Sequence, residues 1–343
     1  MKKYFLYFWA ILKARILKKR VPIFVVICVT NRCNLRCAYC YEEVYDRQEG
    51  EFTKEAIFSL IDQLTDMGTR YVSINGGEAL LRSDFKDIVD KVKSNGLLCH
   101  LSTNGTLVSK HLETLREVDS IAISIDGDQL SNDRNRGEGS YNKIIEGMKS
   151  LKQAGIKFHT HTVITKNNKG AIEEILDMAQ QYNFQAQFSP LRIEDSLDKS
   201  LGLNDTEMKE VVERLLKYKK GGRPVFFSAK AYDNFLKWPY PYHQLTISKD
   251  VPAGYHPIRC NIKRFACHIE ANGLVYPCIV LVNRFKALNF LDAGFKKAWD
   301  HLAENDCKAC HNICCNDQNL IYDININSIL NAVKIVRKRL KKE

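Results

Sequence analysis

The stretch that decides the fold runs from Ile23 to Cys40: Ile-Phe-Val-Val-Ile-Cys-Val, then Thr-Asn-Arg, then Cys33-Asn-Leu-Arg-Cys37-Ala-Tyr-Cys40. Its first seven residues form a short apolar run of the kind that makes a buried strand. Three thiols follow directly. Each iron of a cubane iron–sulfur cluster normally takes one cysteine thiolate, so three cysteines leave one iron open to substrate or cofactor. A zinc knuckle is the alternative for three cysteines in eight residues.

Strand-like and helix-like segments alternate after this stretch. Six βα units of this kind imply a parallel sheet with right-handed crossovers, in an α/β fold. The predicted strands are Ile23–Val29, Tyr71–Asn75, Leu97–Ser102, Ser120–Ile125, Lys157–Ile164 and Phe184–Ser189, with helices near 53–66, 83–95, 109–116, 140–154 and 170–182. A later helix over 204–219 begins at Asn204, and the Pro- and aromatic-rich stretch 223–257 is expected to be an irregular linker or a substrate-lining loop.

Length and composition describe a globular chain with enough residues for a large core. The chain has 343 residues, of which 45% are hydrophobic and 27% charged. Its twelve cysteines fall in clusters, unlike the even spacing of short secreted disulfide proteins, which favours metal-bound thiolates in a reducing cytoplasm.

The net charge of +11 lies entirely in the two ends of the chain. Residues 1–20 hold seven Lys or Arg and no acid, residues 321–343 hold six against two acids, and the remainder has 38 basic and 38 acidic residues. This neutral body gives no case for nucleic-acid binding. Because both ends also carry apolar residues at helical spacing, we expect basic amphipathic helices, which either lie on an anionic membrane at the inner face of the cell or pack on the domain.

The cysteine spacing Cys-x3-Cys-x2-Cys, with Tyr39 before the last thiol, resembles the motif of radical S-adenosylmethionine (radical SAM) enzymes. The resemblance implies a partial (β/α)6 barrel and a [4Fe–4S] cluster on Cys33, Cys37 and Cys40 whose open iron binds S-adenosylmethionine. One electron then cleaves this cofactor to a 5′-deoxyadenosyl radical, which abstracts hydrogen from a substrate. A flavodoxin or ferredoxin is the implied electron donor.

Motifs at the next strand ends match the same family. Asn75-Gly76-Gly77-Glu78 resembles its Gly-Gly-Glu motif, which contacts the amino group of the cofactor. By resemblance, cofactor contacts are also assigned to Ser102, Asn104 and Ser124, to Arg136 near the cofactor carboxylate and to Tyr39 near the adenine. Ordinary turns, and a solvated arginine, remain the alternatives for these residues. No residue is assigned to direct or quench the substrate radical.

A second set of seven cysteines crowds into residues 260–315. Between Cys260 and Cys278, an Asn272-Gly273 turn predicts a hairpin that brings both thiols together. Cys307 and Cys310 then supply a Cys-x2-Cys pair. This pattern resembles the SPASM/twitch extension and implies an auxiliary [4Fe–4S] cluster on these four thiols, with a zinc site as the rival. The choice among Cys307, Cys310, Cys314 and Cys315 stays open, whereas Cys28, Cys99 and Cys267 are expected to be small buried hydrophobes.

The expected domains are a basic N-terminal helix (1–20), a radical SAM core (21–195), a linker or substrate-lining region (196–258), a SPASM/twitch-like extension (259–318) and a basic C-terminal helix (319–343). The expected function is a radical SAM oxidoreductase or transferase. We expect a small-molecule or lipid substrate, and a hydrophobic or lipid-linked one is favoured if the two ends of the chain lie on a membrane. The alternative is modification of a peptide or protein. A non-catalytic iron–sulfur electron-transfer protein is disfavoured, because pure electron transfer does not need a three-thiolate site.

Overall fold

The computed structural model describes residues 2–40, 51–192, 199–248 and 250–340. The predicted boundary between residues 195 and 196, and the tail residues Lys341 and Lys342, lie outside these ranges.

A single sheet of nine strands carries the fold, in the order β10-β9-β8-β1-β2-β3-β4-β5-β6. The first six strands pair in parallel along the chain, as predicted. Their bounds are β1 Phe24–Cys28, β2 Tyr71–Asn75, β3 Leu98–Thr103, β4 Ser120–Ser124, β5 His159–Ile164 and β6 Ala186–Pro190; the others are β7 Thr246–Ile247, β8 Ala266–Ile269, β9 Leu274–Tyr276, β10 Leu288–Asn289 and β11 Ala309–Cys310. Strands β7 and β11 form a separate two-stranded sheet.

Helices fill the crossovers and both ends of the chain. They are α1 Lys2–Ile16, α2 Lys54–Asp66, α3 Phe85–Ser94, α4 Leu112–Leu115, α5 Gln129–Arg136, α6 Ser140–Gln153, α7 Ile172–Gln181, α8 Asp205–Lys220, α9 Ala229–Leu236, α10 Ile262–Phe265, α11 Phe290–Ala293, α12 Phe295–His301, α13 Ile313–Tyr322 and α14 Ile326–Leu340. Asn204 caps α8 through a reciprocal pair of hydrogen bonds with Glu207, as the sequence predicts. No helix among the described residues is both long and apolar enough to cross a bilayer.

Alternation along the strands separates an apolar face from a polar one. Val25 and Ile27 of β1 belong to the main core beneath the helices, whereas Val26 and Cys28 point the other way, to the face that we call the lumen. The rings of His100 on β3 and His159 on β5 lie 5.6 Å apart across the intervening strand β4. The two rings thus meet over β4 on the lumen face, as side chains do on the concave side of a curled sheet.

The C-terminal extension joins the core sheet through β8, an arrangement that the sequence does not predict. Strand β8 runs parallel to β1, with Val26 opposite His268. The predicted hairpin is confirmed, because β8 and β9 pair in antiparallel fashion around Asn272 and Gly273, whose φ of +89° favours glycine. The metal-binding extension therefore lies against the same strand that leads into Cys33.

Helix α1 lies across the amino ends of the core strands. Lys3 donates to the carbonyl of Leu97, which precedes β3, and Tyr4 donates to that of Asp119, which precedes β4. At its other end, Arg15 pairs with Asp323 beyond α13 at 2.7 Å. Residues Lys2–Ile16 of the predicted N-terminal segment are helical, and the buried side of α1 packs on the domain.

Two details of the predicted organisation differ from the structure. The stretch 223–257, predicted as irregular, contains α9 with buried Tyr232 and Phe235. Its prolines flank this helix at 224 and 239 and leave its interior clear. Helix α13 crosses the predicted boundary between 318 and 319, so the C-terminal tail begins with α14.

Truncating Ile11 should reduce stability because its side chain is 2% exposed in the cluster that joins α1 to the barrel and extension. We expect Ile11→Ala to lower the free energy of unfolding by about 2–5 kcal/mol, measured by urea denaturation. Phe5→Ala, on the exposed side of the same helix, is the matched control and should change it by less than about 0.5 kcal/mol. Equal effects of both changes would contradict this packing.

Candidate active site and thiol clusters

The loop that carries the three cysteines rests on the glycines at the end of β2. The backbone N–H of Gly77 donates to the carbonyl of Thr30 at 2.8 Å, and that of Glu78 donates to Arg32 at 2.8 Å. A Cβ on Gly76 would lie 2.5 Å from the Thr30 carbonyl oxygen, and one on Gly77 2.4 Å from that of Arg32. Both positions need glycine because the loop before Cys33 approaches the backbone too closely for any side chain.

Glu78 ties the ends of β2 and β3 together. Its buried carboxylate accepts hydrogen bonds from the N–H of Leu80 at 3.1 Å, the N–H of Asn104 at 2.7 Å and the hydroxyl of Thr103 at 2.9 Å. Burial raises the pKa of Glu78, and these donors oppose the rise. The Asn104 amide lies 3.8 Å from Cys33 Sγ. Glu78 therefore positions Asn104 beside the first cysteine. The cofactor contacts predicted for Glu78 and Asn104 stay predictions.

Tyr39 and Arg136 meet on a buried carboxylate that the sequence analysis did not select. The Tyr39 hydroxyl donates to Asp126 Oδ2 at 2.6 Å, and Arg136 Nε lies 2.9 Å from the same oxygen. The Arg136 guanidinium also lies 5.6 Å from the centre of the Tyr39 ring. Asp126 follows β4 in an Asp-Gly pair. Because such pairs are typical of turns, the sequence did not indicate that the Asp126 carboxylate binds these two side chains. The buried ion pair argues against the alternative of a solvated arginine.

The remaining predicted cofactor residues line the lumen near the same strand ends. Ser102 on β3 and Ser124 on β4 are both half-buried. Burial raises the pKa of Cys37 to about 11, with Arg136 opposing the rise, whereas Cys33, Cys37 and Cys40 all remain partly exposed. Three partly exposed thiols on one short loop fit a cluster with three cysteine ligands.

Five thiols converge in the extension. Cys260, Cys278, Cys307, Cys310 and Cys315 line one cavity. This set includes all four predicted ligands and adds Cys315 from the first turn of α13. Burial, with the nearby thiols Cys310 and Cys278, raises the pKa of Cys260 to about 12. Packed thiols with little access to water fit a metal cluster, which takes up thiolates that would otherwise be too costly to bury.

Cys315 donates hydrogen bonds within this cavity. Its contacts with Cys278 and Cys310 raise the pKa of Cys315, and the same hydrogen bond lowers the pKa of Cys278. Cys314, one residue earlier, is exposed. Spacing alone could not separate these two adjacent cysteines, because only the rotation of α13 directs one inward.

The other cysteines divide into two kinds. Cys99 and Cys267 belong to the apolar core, in agreement with their predicted role as small hydrophobes. Cys28 differs, because its Sγ lies 3.6 Å from His268 Nε2 on the lumen face.

Gly77→Ala should displace the cysteine loop and weaken the first cluster. After anaerobic reconstitution we expect the variant to lose roughly four irons per chain, measured by iron and sulfide analysis. Gly170→Ala is the control, because a Cβ there meets nothing within 4 Å. Full iron content in Gly77→Ala would show that the glycine contact does not hold the loop.

Cys315→Ala should weaken the auxiliary cluster, whereas Cys314→Ala should not, since only Cys315 lines the cavity. We expect the iron content of Cys315→Ala to fall toward about four per chain and that of Cys314→Ala to stay near eight. A larger loss of iron in Cys314→Ala than in Cys315→Ala would contradict the assignment of Cys315 as the thiol that faces the cavity.

Comparison with known sequences agrees with this geometry. Residues 27–179 match the model of the radical SAM superfamily. The chain is 30% identical over 244 residues to Fe-coproporphyrin III synthase of Methanosarcina barkeri, covering 66% of this chain and 59% of that protein. It is 29% identical over 287 residues to mycofactocin maturase MftC of Mycobacterium tuberculosis, covering 81% and 70%. The chain thus spans about three fifths of the first relative.

Solved structures share the fold over a longer stretch. Streptococcus suis SuiB bound to its precursor peptide SuiA aligns with a TM-score of 0.62 at 17% identity, over 86% of this chain and 67% of SuiB. The enzyme anSMEcpe with bound AdoMet and Cp18Cys peptide aligns with a TM-score of 0.62 at 16% identity, over 91% and 99%. Residues 27–179 therefore match a radical SAM domain, and the parallel sheet and the three-cysteine loop described above agree with that match.

Proposed function

We propose that this radical SAM enzyme modifies a peptide or protein substrate. The single observation that carries the proposal is the combination, in one fold, of a three-thiol loop at the end of β1 and a separate five-thiol cavity in the extension. Structures with this fold hold the peptides SuiA and Cp18Cys, and MftC is a maturase. These likenesses favour the peptide alternative over a small hydrophobic substrate.

The cofactors would supply the radical, and residues of the chain would hold and orient these cofactors. A [4Fe–4S] cluster with bound S-adenosylmethionine provides the hydrogen-abstracting 5′-deoxyadenosyl radical, and Cys33, Cys37 and Cys40 are the residues that would hold it. Gly76 and Gly77 keep the loop close to β2. We assign Ser102, Asn104 and Ser124 to cofactor contact, together with Tyr39 and Arg136, which Asp126 orients.

The lumen offers neutral hydrogen-bonding groups near these residues. His161 on β5 is within 3.4 Å of the Ser189 hydroxyl on β6. Burial, with the nearby Arg136 charge, lowers the pKa of His161 to about 4, so its ring is neutral at neutral pH. Arg136 is itself neutralised by Asp126. Neutral imidazole and hydroxyl groups suit the amide groups of a peptide, which both donate and accept hydrogen bonds.

The five-thiol cavity supports an oxidative outcome. An auxiliary cluster there, held by Cys260 and Cys278 together with thiols from Cys307, Cys310 and Cys315, would supply a second redox centre in the extension. A flavodoxin or ferredoxin is proposed to deliver the electron to the first cluster.

Cofactor cleavage should depend on the first thiol loop. The reconstituted enzyme, given dithionite and S-adenosylmethionine, is expected to form 5′-deoxyadenosine, measured by chromatography. Cys37→Ala should abolish this product, while Cys314→Ala, at an exposed thiol, should retain it. Product from Cys37→Ala at the wild-type rate would contradict the three-thiolate site.

The substrate class is tested by co-expression with the short reading frames that flank its gene, followed by mass spectrometry of their peptides. A peptide that loses hydrogen only with the active enzyme supports the proposal. Formation of Fe-coproporphyrin III from a tetrapyrrole precursor, with no change in any peptide, would instead favour a tetrapyrrole substrate, since the first relative is named for the synthesis of that compound.

Membrane association is a second proposal, supported by the outer side of α1. Phe5 is 67% exposed, Trp9 52% and Ile16 68%, and Lys2 and Lys13 lie among them on the same side of the helix. An apolar stripe with interspersed lysines suits an anionic lipid surface. The opposite side of α1 holds the barrel, so docking need not unfold the helix.

Docking should depend on these exposed rings. We expect the full-length protein to sediment with vesicles of phosphatidylglycerol and phosphatidylcholine at low salt, and the double variant Phe5→Ala, Trp9→Ala to bind at least about tenfold more weakly. Leu130→Ala, 62% exposed on α5, is the control. Wild-type protein that stays in the supernatant at low salt would rule out this role for α1.

A further inference from the structure

A mixed cluster of side chains lies on the lumen face, apart from both thiol sets. Cys28 Sγ is 3.6 Å from His268 Nε2, and this nitrogen is 2.7 Å from Glu270 Oε1. The three donor atoms all lie within 4.8 Å of one another. Cys28, His268 and Glu270 are 3%, 4% and 8% exposed. A thiol, an imidazole and a carboxylate thus converge in a site almost without solvent.

The pairing of β1 with β8 builds this cluster. Val26 lies opposite His268 and Ile27 opposite Ile269, so the next residue on each strand, Cys28 and Glu270, follows in register. Side chains alternate between the faces of a sheet, which places Cys28, His268 and Glu270 on the lumen side. Cys267 and Ile269, which flank His268 in the chain, point to the opposite face and belong to the apolar core.

The Nε2 atom of His268 lies within reach of both the Cys28 thiol and the Glu270 carboxylate. If His268 Nε2 carries a proton, it donates a hydrogen bond to the Glu270 carboxylate. If it carries none, it accepts a hydrogen bond from the Cys28 thiol. The same nitrogen cannot do both at once. Among the described residues, no Lys or Arg nitrogen lies within 4.0 Å of the Glu270 carboxylate. Burial of a carboxylate is costly unless a positive charge lies close to it, and a cation bound beside Glu270 would supply that charge.

The separations of the donor atoms suit a small divalent cation. With zinc bonds of about 2.0 to 2.3 Å, neighbouring donor atoms of a tetrahedral site lie roughly 3.3 to 3.6 Å apart. The distance between Sγ and Nε2 already has this value, and the contact between Nε2 and Oε1 would open by roughly half an ångström. A sulfur, nitrogen and oxygen set is typical of zinc, whereas iron–sulfur clusters take mainly thiolates.

We propose that Cys28, His268 and Glu270 bind a zinc-type divalent cation in the barrel lumen, through Sγ, Nε2 and a carboxylate oxygen. Three protein ligands leave a fourth position for water or for a carbonyl or carboxylate oxygen of the substrate. Because the three side chains share the lumen face, that position is on the lumen side. The cation would anchor a substrate by its oxygen in the barrel, a role beyond the radical chemistry proposed above.

Zinc analysis of the holoenzyme tests this site. Protein produced with zinc, reconstituted anaerobically with iron and sulfide and then desalted, should hold about one zinc per chain, with one sulfur and two or three nitrogen or oxygen neighbours in zinc-edge X-ray absorption. His268→Ala and Glu270→Gln should lose this zinc while keeping their iron. Cys267→Ala is the control, because it lies on the same strand but on the opposite face.

Each alternative result overturns the proposal. Zinc with four sulfur neighbours would belong to the cysteine cavity, and zinc content unchanged in His268→Ala and Glu270→Gln would place the metal elsewhere. Wild-type protein without zinc after supplementation, combined with lost activity in His268→Ala, would identify a proton-transfer group in place of a metal site. Iron content in every variant reports whether the fold and clusters remain intact.

Discussion

The close contact between the cysteine loop and the Gly76-Gly77 backbone is the constraint on which the rest of the site depends. Hydrogen bonds from Gly77 and Glu78 to Thr30 and Arg32 fix the loop as it leaves β1. The carboxylate of Glu78 accepts a hydrogen bond from the N–H of Asn104, which links this loop to the end of β3. Three adjacent parallel strands are thereby locked together at their carboxyl ends, where barrel enzymes place their chemistry.

Local sequence patterns predict much of this fold, since the core strands are apolar runs and their bounds agree with the structure to within about two residues. The patterns do not predict that β8 pairs with β1, because register between strands more than two hundred residues apart leaves no local trace. For a related reason the sequence did not indicate the role of Asp126 and left the choice between Cys314 and Cys315 open. A turn-forming residue and one of two adjacent cysteines acquire their contacts only when distant elements pack.

Strand β1 connects the different parts of the protein. Its carboxyl end leads into the three-thiol loop, its register with β8 attaches the extension that carries the five-thiol cavity, and its lumen face contributes Cys28. The two thiol sets differ in access to solvent. All three thiols of the first set are partly exposed, whereas three of the five cavity thiols, Cys307, Cys310 and Cys315, are buried. An open site beside a closed one is the arrangement expected when one cluster binds a cofactor and the other holds structure or carries electrons.

The central claim is that the iron left open by Cys33, Cys37 and Cys40 is the one that binds S-adenosylmethionine. Electron–nuclear double resonance on the reduced enzyme with ¹⁵N-labelled S-adenosylmethionine tests it most directly, in a variant whose extension cysteines Cys260, Cys278, Cys307 and Cys310 are alanine. The account predicts a resolved coupling between the cluster spin and the amino nitrogen in this variant. Absence of the coupling there, with its presence in protein that retains only the extension cysteines, would contradict the account.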